Sequence, residues 1–143
     1  MTTFVLDANV AIKWSMPFTG EPLTDASVRL LTRYAQGEID FMVPDIFWVE
    51  VGNVLWKGTR QRRWDRQQAE TVEEDVRARD FQTVPSRLLL SEALRIACDY
   101  DRHLSDCFYV ALAAESHAEL VTADERLANA FAARFPVKWL GAF

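Results

Sequence analysis

Short, uniformly apolar segments alternate along this chain with longer segments whose apolar residues recur every three or four positions. The first pattern is typical of strands buried on both faces of a parallel sheet, and the second is typical of amphipathic helices. Their regular alternation predicts an α/β sandwich in which right-handed crossovers connect the strands. The predicted strands are Phe4–Leu6, Phe41–Val43, Phe81–Val84, Leu120–Thr122 and Val137–Leu140.

Capping residues and polar stretches set the expected limits of the helices. Asp45 is well placed to cap the third helix, and Asp65 with Gln68 has the spacing of a capping box at the start of the fourth. The polar segment Gly58–Arg66 between these helices is the only one predicted to be flexible. The predicted helices are Asn9–Ser15, Pro22–Gln36, Ile46 to about Lys57, the polar helix that contains Ala69, Val72 and Val76, Leu88–Tyr100, Asp106–His117 and Glu125–Arg134.

A chain of 143 residues, half of them apolar, is the right size for one globular domain spanning residues 1–143. No apolar run approaches the roughly 20 residues of a membrane span. The first four residues lack the basic region of a secretory signal, so we expect a cytoplasmic protein that does not contact membranes. Cys98 and Cys107 lie in helical segments outside any CxxC pair, and we expect both thiols to be reduced and buried.

The net charge of −5 argues against a protein that coats nucleic acid without specificity, because such proteins are usually basic. A nuclease remains compatible with this charge. A metal ion in an acidic site attracts phosphate locally while the protein as a whole stays acidic.

Four acidic residues occupy positions where a carboxylate is costly. Asp7 ends the apolar run Phe4–Leu6, Glu50 interrupts an apolar helix, Asp106 opens another, and Asp124 follows a predicted strand. Carboxylates are rarely buried without a partner. Taken singly, three of these acids are also well placed to cap a helix. Glu50 lies in mid-helix, where the alternative is a solvated position at the edge of the buried face.

Taken together, the four acids favour a shared cation. Carboxylates about 4 Å apart repel each other by roughly 4 kcal/mol per pair at an effective dielectric of 20, and their pKa values rise unless a cation is present. Magnesium and manganese prefer oxygen ligands and retain several waters, and a water bound in this way can attack phosphorus. The sequence offers no Ser–His–Asp or Cys–His signature for nucleophilic catalysis.

The acids lie in four segments of the chain, Phe4–Asn9, Val43–Leu55, Leu104–Ala113 and Leu120–Leu127. In this order the segments resemble the sequence blocks of PIN-domain ribonucleases, and specifically of the VapC-type toxins of bacterial toxin–antitoxin pairs. No single block is specific, but four in order span nearly the whole chain. The resemblance implies a three-layer α/β/α sandwich around a central, mostly parallel five-stranded sheet. It also implies a magnesium- or manganese-dependent endoribonuclease that hydrolyses RNA.

By position, the resemblance implies a catalytic acidic quartet of Asp7, Glu50, Asp106 and Asp124. Asp7 and Asp106 are the expected metal ligands. Glu50 is expected either to bind the metal or to orient the attacking water. Asp124 is expected to act on the metal directly or through a water molecule.

Other polar residues near the quartet receive separate expectations. Asn9 and Thr122 match the positions that support the acids by hydrogen bonds to carboxylates or bound water. Asp99 and Asp101 lie just before Asp106 in the sequence, and we expect both to end the preceding helix in solvent.

One basic cluster stands out, and it is flanked by Trp56 and Trp64. It can contact RNA phosphates, with an aromatic ring stacked on a base, or it can face an acidic partner segment. The simplest alternative is a solvated helix end and loop. Trp48 and Trp56 are expected in the core. The residues of the cluster proposed to contact RNA or a partner are Lys57, Arg60, Arg62 and Arg63.

The resemblance also implies two protein partners, a cognate VapB-like antitoxin and a second copy of the chain in a homodimer. Two other functions remain open. A PIN-like nuclease can process RNA without being a toxin, and a PIN-like module can bind a partner after losing catalysis.

Overall fold

Within residues 1–16 and 22–143, which this computed structural model describes, five strands form one sheet in the order β3-β2-β1-β4-β5. Every neighbouring pair of strands is parallel. The strand pattern of the sequence therefore predicted the sheet correctly, and the prediction of a mostly parallel sheet is confirmed. The strands are β1 (Thr2–Leu6), β2 (Ile39–Pro44), β3 (Gln82–Val84), β4 (Glu119–Thr122) and β5 (Val137–Trp139).

Helices cover both faces of this sheet. The first helix contacts each of the next three, the first three contact the sheet, and the fifth packs on the sixth. The crossover from β1 to β2 and the crossover from β4 to β5 run in opposite directions along the sheet, which places their helices on opposite faces. This is the expected three-layer α/β/α sandwich. The helices are α1 (Ala8–Ser15), α2 (Thr24–Ala35), α3 (Ile46–Arg60), α4 (Arg66–Ala78), α5 (Ser86–Tyr100), α6 (Leu104–Ser116) and α7 (Glu125–Phe131), followed by a 3₁₀ turn at Leu140–Ala142.

The core occupies both sides of the sheet, and on one side it lies against α6, which contacts β1, β2 and β4. Every residue of α6 from Cys107 to Ala113 is buried, so this helix is apolar on all sides and not only along one stripe. Val5 and Leu6 of β1 are fully buried, because helices cover the central strand on both faces. A polar residue that directly follows β1 is therefore still partly enclosed by the core.

Several helix limits differ from those predicted. Helix α2 begins at Thr24 and not at Pro22, because Leu23 adopts a left-handed conformation with a φ of 67°. Helix α6 begins two residues before Asp106, and His103 occupies its N-cap. Asp45 precedes α3 as predicted, but its side chain accepts no capping hydrogen bond. The capping box of Asp65 and Gln68 at the start of α4 is confirmed.

The segment predicted to be flexible is held in place by Trp64. Helix α3 continues to Arg60, and the Trp64 side chain is buried against Gly58. Its indole Nε1 donates a 3.0 Å hydrogen bond to the carbonyl of Leu55. The prediction of a flexible Gly58–Arg66 segment is therefore wrong, because the large apolar side chain of Trp64 in the turn packs against the preceding helix.

Two side chains predicted to be buried are exposed. Trp56 is 57% exposed on the outer face of α3, whereas Trp48 is half-buried and stacks on Phe81. Cys98 is also exposed, on the outer face of α5, and only Cys107 is a buried thiol. In both cases the helical spacing was correct, but the residue lies on the face turned away from the sheet. No helix within the described ranges is long and apolar enough to cross a bilayer.

Candidate active site

Asp7 and Asp124 lie at the carboxyl ends of two adjacent strands. Asp7 directly follows β1, and Asp124 is two residues beyond the end of β4. The chain runs outward from β1 through β2 to β3, whereas β4 and β5 lie on the other side of β1. The carboxyl ends of β1 and β4 are therefore the point at which the strand order reverses, where open parallel sheets usually bind ligands.

A network of hydrogen bonds fixes the Asp7 carboxylate. Thr122 Oγ1 donates a 2.9 Å hydrogen bond to Asp7 Oδ2. The same hydroxyl oxygen accepts from Asn9 Nδ2 at 3.4 Å and from the backbone amide of Asp124 at 3.1 Å. Since both lone pairs of Thr122 are used, its proton is directed at Asp7. Asn9 is fixed in turn by the backbone amide of Ala123, which donates to Asn9 Oδ1 at 3.0 Å.

Burial raises the pKa of Asp7 to about 7. The hydrogen bond from Thr122 opposes this rise, whereas the charges of Glu50 and Asp106 add to it. The three acids come from β1, α3 and α6, three elements that are far apart in sequence. The charges of Glu50 and Asp106 both act on Asp7, so the fold places the three carboxylates within electrostatic reach of one another.

Glu50 reaches this site from the first half of α3. Burial raises its pKa, the Tyr109 hydroxyl lowers it, and the charge of Asp106 raises it. Glu50 Oε1 and the Tyr109 hydroxyl are both buried, and neither has a partner within standard hydrogen-bond geometry in the described part of the chain. The interaction between them is therefore electrostatic and incompletely aligned. A buried carboxylate oxygen without a donor is a position where a cation would be stabilised.

Tyr109 lies in the segment Leu104–Ala113 that contains Asp106, and no role was predicted for it from the sequence. It is 1% exposed, as its apolar neighbours on α6 predict, and burial raises its pKa further than any other influence. The charges of Asp7 and Glu50 also raise it. The sequence gives no sign that Tyr109 interacts with the acids, because an aromatic residue at helical spacing is expected in the core. The ring does belong to the core, and only the hydroxyl reaches the acids.

Asp106 lies in the first turn of α6, at the edge of the acidic group. Burial raises its pKa, Arg102 lowers it, Asp124 raises it, and His103 lowers it. The charge of Asp124 thus acts on Asp106, and the charge of Asp106 acts on Asp7 and Glu50. Asp106 links the two halves of the acidic quartet.

Helix capping accounts for part of this arrangement. Asp7 Oδ1 accepts from the backbone amide of Asn9 at 3.4 Å, and Asp124 Oδ1 accepts from the amides of Arg126 and Leu127 at 3.0 and 3.2 Å. Both acids therefore cap a helix and also face the site. Asp106 is not a cap, because His103 holds that position.

The basic cluster does not join the acidic group. Lys57 and Arg60 are exposed on the last turns of α3 and line a cavity of about 460 Å³ with Trp56 and Gln61. The Arg60 guanidinium lies 5.3 Å from the centre of the Trp56 ring. The other two members, Arg62 and Arg63, are exposed in the following turn.

The acids are neighbours but do not form a closed cage. In the ranges 1–16 and 22–143, no three His, Cys, Asp or Glu side chains lie close enough together to hold a metal ion by themselves. The donor set nevertheless fits a hard cation, since it consists of carboxylate oxygens with raised pKa values and one buried oxygen without a donor. Magnesium is usually held by one or two carboxylates and several waters, so it requires no closed cage.

A model of the PIN domain family matches residues 4–131 of this chain. The chain belongs to the PIN domain family. Proteins of this family are generally nucleases, and they generally use divalent metal ions. The match covers all four acids described above, together with Asn9 and Thr122.

Solved structures with the same fold support this assignment of the PIN domain. PAE2754 from Pyrobaculum aerophilum aligns with a TM-score of 0.71 at 21% identity, over 99% of this chain and 85% of its own. VapBC2 from Rickettsia felis, solved with a DNA fragment from its promoter, gives 0.66 at 12% identity over 96% and 98%. A toxin–antitoxin complex from Klebsiella pneumoniae gives 0.60 at 18% identity over 94% and 95%. No curated protein sequence matches the chain.

Proposed function

We propose that this PIN domain is a metal-dependent endoribonuclease and the toxin of a type II toxin–antitoxin pair. The observation that carries the proposal is the group of Asp7, Glu50 and Asp106 at the switch point of the sheet, where burial and the charge of a neighbouring carboxylate raise all three pKa values. Without a bound cation, such a group of buried carboxylates destabilises the folded protein. A divalent cation offsets this cost, and perturbed acids in a cleft are typical of catalytic sites.

Asp7 and Asp106 are the proposed metal ligands, and Mg²⁺ or Mn²⁺ is the proposed ion. Asp7 is fixed by Thr122 and Asn9, so its carboxylate is held in position before an ion binds. When bound, the divalent ion supplies Lewis acidity, which acidifies water and neutralises charge on the phosphate.

The remaining acids handle water and protons in this proposal. Glu50 orients the attacking water and accepts its proton, a role favoured by its raised pKa. The water oxygen forms a bond to phosphorus, the bond from phosphorus to the leaving ribose oxygen breaks, and that oxygen takes a proton from solvent. Asp124 acts through water at the edge of the site, because one of its oxygens already caps α7.

The basic cluster of Lys57, Arg60, Arg62 and Arg63 is the proposed surface for RNA or for an acidic segment of the antitoxin. Lys57 follows Glu50 by two helical turns on the same face of α3, which separates them by about 10 Å along the helix axis. The exposed Trp56 ring, already paired with Arg60, offers a surface on which a base can stack. RNA bound at the acids can therefore extend over this surface.

The proposed partners are a VapB-like antitoxin and a second copy of the chain, and the proposed location is the cytoplasm. The Rickettsia felis and Klebsiella pneumoniae structures are toxin–antitoxin complexes with this fold. Purification alone and together with the product of an adjacent small gene, followed by light scattering, will measure both associations. A monomer that binds no such product would contradict the partner assignments without affecting the nuclease assignment.

The decisive experiment is expression of the chain alone with mapping of RNA cleavage. We expect growth arrest in cells. We also expect cleavage by the purified protein in Mg²⁺ or Mn²⁺ and none in chelator. Asp7→Asn and Asp106→Asn should abolish cleavage while the folded structure persists.

The matched control for these variants is Asp99→Asn, an acidic residue exposed at the end of α5. This variant should cleave RNA like the wild type. Cleavage by both site variants would contradict the site assignment. Cleavage without growth arrest or a neighbouring antitoxin gene would favour a nuclease that processes RNA. Failure of the wild type to bind Mg²⁺ or Mn²⁺ in calorimetry would favour a binding module without catalysis.

A further inference from the structure

A second group of charged residues lies beside the acidic quartet, in a cavity of about 440 Å³. Three aspartates, two arginines and one histidine line this cavity. It is formed where the turn between α5 and α6 meets the start of α7. Its lining residues are Asp101, Arg102, His103, Asp106, Asp124 and Arg126.

The positions of the basic residues are set by the backbone. Asp101 ends α5 in a left-handed conformation with a φ of 52°, and the amide of Arg102 then donates to the carbonyl of Ala97 at 3.3 Å. This reversal brings Arg102 and His103 to the start of α6. Arg126 lies in the first turn of α7, where its own amide is bonded to Asp124. The basic groups therefore come from two elements that also carry acids of the quartet.

These positive charges act on the acidic site. Arg102 and His103 both lower the pKa of Asp106, against the effects of burial and of Asp124. Within the described ranges, neither Arg102 nor Arg126 forms an ion pair through its side chain. Both guanidinium groups therefore retain donors for a ligand. Arg102 is half-buried, whereas Arg126 is exposed at the mouth of the cavity.

We propose that this cavity binds a phosphate of single-stranded RNA next to the one that is cleaved, and this proposal rests on the proposed nuclease function. A guanidinium forms paired hydrogen bonds to phosphate oxygens. Carboxylates alone would repel the RNA backbone, and adjacent arginines offset that repulsion. The cavity places basic side chains next to acidic ones. This arrangement suits an RNA strand whose scissile phosphate lies at the acids and whose neighbouring phosphate lies at the arginines.

The assignment differs from that of the basic cluster on α3. Lys57 and Arg60 line a separate cavity that contains no residue of the acidic quartet. Arg102 and Arg126 share a cavity with Asp106 and Asp124. We therefore expect the α3 cluster to add affinity along the strand, whereas Arg102 and Arg126 fix the strand at the site of cleavage.

The test compares Arg102→Gln and Arg126→Gln with Arg95→Gln, an exposed arginine on α5 that pairs with Glu92 outside the cavity. The probe is a fluorescent single-stranded RNA that spans a mapped cleavage site. Its dissociation constant is measured in chelator at several salt concentrations, and kcat/KM is measured in Mn²⁺. Each cavity variant should weaken binding about tenfold and reduce the slope of log affinity against log salt by about 0.7. The control should match the wild type.

A modified RNA makes the test specific to one phosphate. Replacing the phosphodiester on one side of the cleavage site by an uncharged methylphosphonate should weaken binding by the wild type. The same replacement should have little further effect on the variant that lacks the contacting arginine. Cavity variants that match Arg95→Gln, while the wild type cleaves RNA, would overturn the phosphate assignment and leave the nuclease intact. Retained RNA affinity with lost antitoxin affinity would assign the cavity to an acidic partner instead. A wild type that neither cleaves nor binds RNA would overturn both proposals.

Discussion

Thr122 Oγ1 donates its proton to Asp7 Oδ2 over 2.9 Å, although the two residues are 115 positions apart in the chain. The hydroxyl also accepts hydrogen bonds from Asn9 and from the amide of Asp124. Thr122 is fully buried and Asp7 nearly so, and water therefore cannot readily replace the hydrogen bond between them. One small side chain thus connects the strand that carries Asp7 with the turn that carries Asp124.

Thr122→Val keeps the shape of the side chain and removes its hydroxyl. Because a buried carboxylate and two donors lose a partner, we expect a loss of about 1–3 kcal/mol in the free energy of unfolding. The pKa of Asp7 should rise further, since the hydrogen bond from Thr122 lowers it. Urea denaturation measures the first effect. Thr32→Val, which alters an exposed hydroxyl on α2 bonded to its own helix, should change stability little.

Asp7→Asn should change the pH dependence of stability. The pKa of Asp7 rises from 3.8 to about 7 in the folded protein. Its contribution to stability is therefore complete below pH 3.8 and is lost as the pH rises through 7. In chelator, the stability of Asp7→Asn relative to the wild type should increase between pH 4 and pH 8 by at most about 4 kcal/mol.

Denaturation curves of Asp7→Asn and the wild type at several pH values, with Asp99→Asn as control, measure this difference. Adding Mg²⁺ or Mn²⁺ at pH 8 should stabilise the wild type and not the Asp7 variant. If the difference in stability between Asp7→Asn and the wild type is the same at every pH, Asp7 carries the same charge in the folded and unfolded states, and the prediction is wrong.

Tyr109→Phe should weaken metal binding with little loss of stability. The hydroxyl lowers the pKa of Glu50, so its removal raises the cost of an ionised Glu50 at the site. Stability should change by less than about 1 kcal/mol, because the ring stays in the core and the hydroxyl has no well-aligned partner among the residues that the structure describes. Groups that support a metal site typically contribute about tenfold or more in affinity.

Calorimetric titration with Mn²⁺ measures the expected tenfold loss without requiring any cleavage. Tyr100→Phe is the matched control, because Tyr100 packs on Phe131 and Phe135 away from the acids. Equal Mn²⁺ affinity in both variants would show that Tyr109 serves packing alone.

Two glycines of α3 should respond in opposite ways to alanine. A Cβ at Gly52 meets no atom of residues 1–16 or 22–143 within 4 Å, so Gly52→Ala should stabilise the helix by about 0.5–1 kcal/mol. A Cβ at Gly58 would overlap with the indole ring of Trp64. Gly58→Ala must therefore displace the indole and break its bond to Leu55, at a cost of about 1–3 kcal/mol. Thermal denaturation of the two variants shows whether each substitution stabilises or destabilises the protein.

Local patterns were sufficient to predict most elements of the fold. Strands such as Leu120–Thr122 are short and uniformly apolar, and the breaks between elements carry recognisable caps. The order of the strands was not predictable in the same way, because the pairing of β1 with β4 depends on contacts between distant parts of the chain. The exposed side chains of Trp56 and Cys98 show a related limit. Helical spacing identifies a face but does not say which face meets the sheet.

The candidate site was predictable where a residue type contradicted its surroundings. Glu50 could be identified because a carboxylate in an apolar helix is costly, and Asp7 because it ends a buried strand. Tyr109, Arg102 and Arg126 gave no such signal. A tyrosine suits a buried helix and an arginine suits a turn, so their relation to the acids becomes visible only when the elements are assembled.

The pairing of β1 with β4 at the middle of the sheet has a consequence for synthesis of the chain. The strand that precedes Asp7 is made before its neighbour, which begins only at Glu119. Ribosomes add about 5–20 residues per second, so the N-terminal strand waits several seconds or more for this neighbour. A chain interrupted before that point lacks Thr122 and Asp124 and cannot assemble the acidic group. If the protein is the toxin proposed above, its incomplete translation products are harmless to the cell that makes them.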